Sequence, residues 1–245
     1  MSNQEGSNYL LIAGESGSGK SVALMNLENS EGVLYLNCEG GKPLPYRCKF
    51  KQITITDPKH IPLAFTKLND PEDSFNYHTV IIDTVSFMMN MYESKHVVNA
   101  TNTQKAWQDY GQFFANLINE SVAPSNVKVI FLAHTVTEAV DDTGESKTYV
   151  PVKGALKKAS VEAFFTTVVA TKKVPLKELR KFPSRLLNIT DLDEAIGYKH
   201  VFQLRTTKNS TGDRIRTPMG LFKPEELYMD NDVQMLIDEL NNYYS

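Results

Sequence analysis

The chain is poor in cysteine, has one tryptophan and carries no excess of positive charge. Its two cysteines, Cys38 and Cys48, have no Cys or His nearby at zinc-like spacing, which argues against both a disulfide framework and a metal site built on thiolates. Lys and Arg number 26 against 29 Asp and Glu, a formal net charge of −3. A surface of uniformly positive potential is therefore excluded, and any nucleic-acid contact must come from a local patch. No apolar run approaches the ~20 residues that cross a membrane, and the polar start Met1-Ser-Asn-Gln-Glu-Gly-Ser-Asn lacks the basic and apolar regions of a secretory leader. The chain reads as soluble, intracellular and cytoplasmic. Internal repeats and low-complexity tracts are also missing. What remains is 245 residues with 41% hydrophobic composition, enough for one sizeable core and a single domain over 1–245.

Eight residues carry most of the chemical information. Gly14-Glu15-Ser16-Gly17-Ser18-Gly19-Lys20-Ser21 matches the phosphate-binding pattern G-x-x-x-x-G-K-[ST]. Tyr9-Leu10-Leu11-Ile12-Ala13 before it reads as a buried strand, and Val22-Ala-Leu-Met-Asn-Leu after it reads as a helix. Strand, glycine-rich turn and helix N-terminus make an anion cradle, in which Lys20 reaches β/γ-phosphate oxygens and the Ser21 hydroxyl holds Mg²⁺. The nucleotide-binding set is Gly14, Glu15, Ser16, Gly17, Ser18, Gly19, Lys20, Ser21 and Val22, and the ligands implied are ATP and Mg²⁺.

Further buried strands are expected at Gly32–Asn37, Thr79–Asp83 and Val127–Ala133, with a short strand near Phe50 to Thr56 and a helix around Gln104 to Glu120. Strands alternating with helices imply an α/β fold, a mostly parallel central sheet flanked by helices, with ligands at the strands' carboxyl ends. Ala163–Ala170 reads as a strand, Lys172–Tyr198 as an insertion at 172–198, and His200–Lys208 as a strand joined to Arg214–Thr217 by a turn. Val233, Leu236, Ile237, Leu240 and Tyr244 recur at helical spacing, which predicts a packed C-terminal helix over 231–244.

Three residues beyond the loop stand where catalysis needs them. Asp83 ends a strand, the place from which a carboxylate holds Mg²⁺ opposite Ser21. Glu39 follows the strand after the loop helix, within reach of a water in line with the γ-phosphate, so it is the candidate general base. His134 ends another strand at the same sheet edge and is the candidate γ-phosphate sensor. Lys172, Lys173, Lys177, Arg180, Lys181 and Arg185, with Lys153, Lys157 and Lys158, form the candidate phosphate-tracking surface, and Phe182 and Tyr149 are available for base stacking. Trp107, Tyr110, Phe113 and Phe114 fall on helical spacing and read as core.

Gly14 to Ser21, Glu39, Thr79-Val-Ile-Ile-Asp83-Thr84 and the polar residue after Val127–Ala133 together resemble the core of RecA-type ATPases. Trp107-Gln-Asp-Tyr110, the Leu-Ala-His134 ending and Arg205-Thr-Thr-Lys208-Asn are similar to compact phage-encoded members, among them single-strand annealing ATPases. The resemblance implies an ATPase stimulated by single-stranded DNA, acting in recombination or annealing. Glu39 would activate water, His134 would couple the γ-phosphate to DNA-binding loops at Thr84–Gln104 and Thr135–Lys153, and Lys208 would reach a neighbour's γ-phosphate. Arg214 or Arg216 is the alternative finger in trans. The partners implied are single-stranded DNA, further copies of the chain and a single-strand binding protein, in the cytoplasm of a bacterial host. The chain starts almost at the first core strand, without the N-terminal helix and strand that link recombinase filaments, so a ring or short filament is expected. Two other readings fit the loop: an ATP-dependent switch or assembly factor with a protein partner, and a small-molecule kinase, for which no arginine-bearing lid is evident.

Overall fold

The computed structural model describes residues 8–68, 76–139, 146–208 and 210–245. Its main sheet is built from β1 (Tyr9–Gly14), β2 (Val33–Asn37), β3 (Lys51–Thr54), β4 (Thr79–Asp83), β5 (Lys128–His134), β8 (Val168–Pro175), β9 (Tyr198–Gln203) and β11 (Tyr228–Asp230). The order is β11-β9-β8-β1-β5-β4-β2-β3. All neighbours from β8 to β3 pair in parallel, while β8–β9 and β9–β11 are antiparallel. This is the expected α/β architecture with a mostly parallel sheet. A small second sheet, β10 (Gly212–Asp213), β7 (Ser146–Tyr149) and β6 (Val136–Ala139), stands beyond the carboxyl ends of β1 and β5.

The strands read as unbroken apolar runs because both faces are covered. Successive side chains point to opposite sides. Leu11, Ala13, Val80, Ile82, Val129, Phe131 and Ala133 pack into one cluster with Met88 and Met89 of α2 (Val85–Tyr92) and with Tyr110 and Phe114 of α3 (Thr103–Asn116). Leu10, Ile12, Ile81, Ile130 and Leu132 pack into the other, beneath Val233, Leu236, Ile237 and Leu240 of α7 (Val233–Tyr244). Asp232 starts α7 by accepting from the Gln234 and Met235 amides, and Asn102 starts α3 by accepting from Lys105 N. The α3 aromatics are core, as their spacing predicts. Among the described residues no helix is long and apolar enough to cross a membrane.

Several expected elements are corrected. The helix after the phosphate loop shrinks to one 3₁₀ turn, Val22–Leu24. Polar side chains divert the chain there: Asn26 donates to Asp232, the Glu28 amide donates to Gln234 Oε1, and Asn29 adopts a left-handed conformation at φ 48°. The strand expected at Ala163–Ala170 begins only at Val168, because Val161–Phe164 forms a 3₁₀ turn around the buried Glu162, which accepts from the Val150 amide and the Ser160 hydroxyl. Of the 172–198 span, residues 172–175 complete β8, and the remainder carries α5 (Leu176–Leu179) and α6 (Asp191–Ile196) back to β9. The strand expected at His200–Lys208 ends at Gln203, whose side chain turns to Arg205 O and Ser210 Oγ. The turn at Asp141–Glu145 lies outside the described residues.

Register assembles the site. Gly14 at the end of β1 stands opposite His134 at the end of β5, and Asn37 of β2 stands opposite Asp83 of β4. The phosphate loop, Glu39, Asp83 and His134 therefore share one carboxyl edge of the sheet.

Candidate nucleotide-binding site

The phosphate loop is held in shape by close backbone packing that only glycine permits. A Cβ on Gly14 would lie 2.1 Å from Thr171 Oγ1, and one on Gly19, at φ +108°, would lie 2.7 Å from Asn231 Nδ2. Polar side chains from three elements anchor the loop: Thr171 of β8 bonds the Ser18 hydroxyl, His200 of β9 bonds Ser18 O at 2.7 Å, and Asn231 donates to Gly19 O at 2.9 Å.

Beside the loop is a cavity of 350 Å³ lined by Ser16, Gly17, Gly19, Lys20, Ser21 and Val22, by Tyr35, Glu39, Asp83 and His134, and by the strap Lys42–Pro45. Its volume suits a nucleotide-sized ligand. Lys20 Nζ donates to Gly14 O and Glu15 O, each at 2.9 Å, and lies 3.2 Å from His134 Nδ1. All three ammonium protons are thus directed at acceptors. The Ser21 hydroxyl donates to Asp83 Oδ2 at 3.4 Å, and the Tyr35 hydroxyl donates to the same oxygen. A hydroxyl and a carboxylate that meet in a phosphate cavity fit Mg²⁺, which takes few protein ligands and completes its shell with phosphates and water.

Glu39 and His134 form one unit. His134 Nε2 is 2.9 Å from Glu39 Oε1 and Thr84 Oγ1 is 3.5 Å from it. With a lysine donor facing Nδ1, that nitrogen accepts, so Nε2 carries the proton and donates to Glu39. Ser86 fixes the end of β5 from both sides, accepting from His134 N at 3.1 Å and donating to His134 O at 3.2 Å. The His134 hydrogen bond holds the Glu39 carboxyl below its usual range against the opposing effect of burial. Burial raises Asp83 in spite of the Tyr35 bond.

Burial also pulls Lys20 down to about 8. Anionic phosphate needs the charged form, and phosphate in turn raises the lysine's pKa. Affinity for ATP should therefore be flat below pH 8 and fall above it, by up to about tenfold per pH unit until the bound-state pKa is reached. Equilibrium titrations with a fluorescent nucleotide between pH 6.5 and 9.5 check this; an affinity constant to pH 9.5 would contradict it.

Gly14, Glu15 and Ser18 face away from this cavity, into a larger one of 500 Å³ between the loop, β8 and the small sheet. The larger space lacks Lys20, Ser21 and Asp83, and within its walls Lys172 pairs with Asp213 and Arg214 with Glu162. The smaller cavity is the one that gathers the residues expected to carry the chemistry. Lys208 is exposed and does not line the nucleotide cavity of its own chain.

The basic run does not stand as an open phosphate-tracking face. Besides the Lys172 pair, Arg180 bonds Glu194, Lys181 bonds Glu178, Arg185 bonds Glu226 and Glu239, Lys153 bonds Glu93, and Lys173 lies over the Tyr198 ring. The two aromatics proposed for stacking are engaged as well: Phe182 meets Tyr228 edge-on, and the buried Tyr149 donates to Glu138. Among the described residues, Lys177 of α5 and Lys157 and Lys158 of α4 (Gly154–Ala159) are exposed without an acidic partner.

Sequence reasoning missed Tyr35, Asn37, Lys42, Tyr46, Ser86, Thr171, His200 and Asn231. Tyr35 and Thr171 sit within strands, where their types signal only burial. Lys42 alone carried a signal, a lysine three residues after Glu39 in a Gly-Gly turn.

Comparison with known proteins adds family membership. No curated protein matches the chain in sequence. Among solved structures, the RadB recombinase covers 91% of this chain and 90% of its own at 16% identity, with a TM-score of 0.42. A family model described as an AAA domain matches residues 7–211, from the first strand through the whole nucleotide cavity except Asn231. On the strength of that match, which spans most of the chain, the chain belongs to the AAA domain family.

Proposed function

We propose that the protein is a Mg²⁺-dependent ATPase whose nucleotide state sets its self-assembly and its affinity for single-stranded DNA, in recombination or strand annealing. The observation that carries the reading is the meeting of Lys20, the Ser21–Asp83 pair and the Glu39–His134 pair in one cavity. Lys20 would exchange its loop carbonyls for phosphate oxygens. Ser21 and Asp83 would hold Mg²⁺, which neutralises charge on the phosphates. Glu39 would take a proton from the attacking water, and His134, losing its lysine neighbour, would report the change through Ser86 to β5 and the segment beyond it. Lys208 would complete a neighbour's site in trans.

DNA binding is supported by the resemblance and by exposed Lys157, Lys158 and Lys177, and opposed by the pairing of most of the basic run. That pairing favours a second reading, an ATP-dependent switch that acts on a protein partner. Steady-state ATP hydrolysis with and without poly-dT, at two salt concentrations, separates them. Stimulation that weakens with salt is expected from the first reading. Hydrolysis indifferent to DNA would leave the protein-directed switch.

A further inference from the structure

The strap over the nucleotide cavity holds a second lysine. Lys42 lines the same cavity as Lys20, and its Nζ is 3.6 Å from Glu39 Oε2, the carboxylate oxygen that His134 does not bond. The turn that presents it is fixed by one side chain. Asn37 Oδ1 accepts from the Glu39 amide at 2.9 Å, Asn37 Nδ2 donates to Lys42 O at 2.8 Å, and Lys42 N closes on Glu39 O at 3.4 Å. Gly40 and Gly41, the two central residues, have φ of +68° and +82°, a conformation that glycine adopts without strain. The far end of the strap is tied down where the Tyr46 hydroxyl donates to Ser21 O at 3.0 Å. The Lys42 backbone is thus pinned while its side chain remains 74% exposed, and an exposed ion pair of this kind is weak.

Charge decides what the lysine meets when substrate enters. The carboxylates Glu39 and Asp83 already balance Lys20 and Lys42 in the cavity. Lys20 reaches the phosphates only by giving up its bonds to Gly14 O and Glu15 O. A triphosphate with one divalent cation brings net negative charge, and Lys42 is the cation free to turn to it without breaking a buried contact.

We infer that Lys42 is a γ-phosphate ligand supplied by the chain's own strap, leaving Glu39 for the terminal phosphate when ATP is bound. The inference rests on the ATPase reading. In the hydrolytic step the water oxygen bonds to the γ-phosphorus, the bond to the β–γ bridging oxygen breaks, its electron pair leaves with ADP, and the water proton passes to Glu39. Lys42 remains protonated throughout, donating to a γ-oxygen as charge shifts, and its departure from Oε2 frees that oxygen to accept the proton.

Equilibrium binding of fluorescent ADP and ATPγS to wild type, Lys42→Ala and Lys42→Arg tests this, beside single-turnover hydrolysis. Lys42→Ala should bind ATPγS about tenfold or more weakly, bind ADP within about twofold of wild type, and hydrolyse ATP about 10–100-fold more slowly. Lys42→Arg should recover part of both losses. Equal loss of ADP and ATPγS would reduce Lys42 to a prop for the strap, and faster hydrolysis would make it only a restraint on Glu39; either overturns the inference. A wild-type protein that binds neither nucleotide would overturn the ATPase reading itself, whatever Lys42 does.

Discussion

Lys20→Ala should fold normally and bind ATP at least about 100-fold more weakly than wild type, with hydrolysis lost. Lys20 is 6% exposed and is the buried cation of the cavity. Without it, Asp83 and Glu39 would face a polyphosphate with only the exposed Lys42 between them. Truncating one side of a buried, hydrogen-bonded charge pair costs ~2–5 kcal/mol, which sets the scale of the expected loss. Stability should respond differently. Lys20 falls from 10.5 in the unfolded chain to about 8 in the fold, so the unfolded state binds more protons between those values and stability rises with pH across that window. Below pH 8 the charged lysine is a cost to the empty fold. The alanine removes that cost while leaving Gly14 O and Glu15 O without their donor, two effects of opposite sign. Thermal melting at pH 7 should consequently shift by only a few degrees. Retained ATP affinity with an unchanged melt would remove the phosphate-loop assignment, and a large fall in melting temperature would show Lys20 to be structural.

The parts of this molecule that were legible in the sequence are those that local pattern dictates. β1, β2, β4 and β5 are buried on both faces, so their alternation into two clusters appears in the sequence as continuous apolar runs that length and flanking glycines identify as strands. Glu39, Asp83 and His134 could be picked out because each ends such a run, and parallel pairing then brings run ends to one edge. The failures have a common cause. Asn26 and Glu28 look compatible with a helix until Asp232 and Gln234, some two hundred residues away, bind them. The basic run looks like an open groove until acids from α6, α7 and the turn before β11 pair with it. His200 and Asn231 reach the phosphate loop from β9 and from the end of β11, contacts set by sheet order, which no spacing along the chain encodes.

Glu39→Gln should bind ATP within a few-fold of wild type and hydrolyse it about 10²–10⁴-fold more slowly, the range that a positioned general base contributes. The amide keeps the shape of the carboxylate. Its oxygen can still accept from His134 Nε2 and Thr84 Oγ1, so the link from Lys20 through His134 to the former carboxylate is retained. What it loses is the capacity to take a proton from water. The separation between binding and turnover is the informative quantity, because a general loss of site geometry would weaken both. The pH dependence gives an independent reading. A base must be deprotonated to act, and the His134 hydrogen bond holds Glu39 below its ordinary value of 4.5, so the wild-type rate should show no acid limb above that pH. The glutamine variant, with its residual rate carried by unassisted water, should show no Glu39-dependent limb at all. Single-turnover hydrolysis of radiolabelled ATP between pH 5 and 8 measures both quantities. Turnover of the variant within tenfold of wild type would exclude Glu39 as the base, and His134, which bonds it and can itself take up a proton, would become the residue to replace.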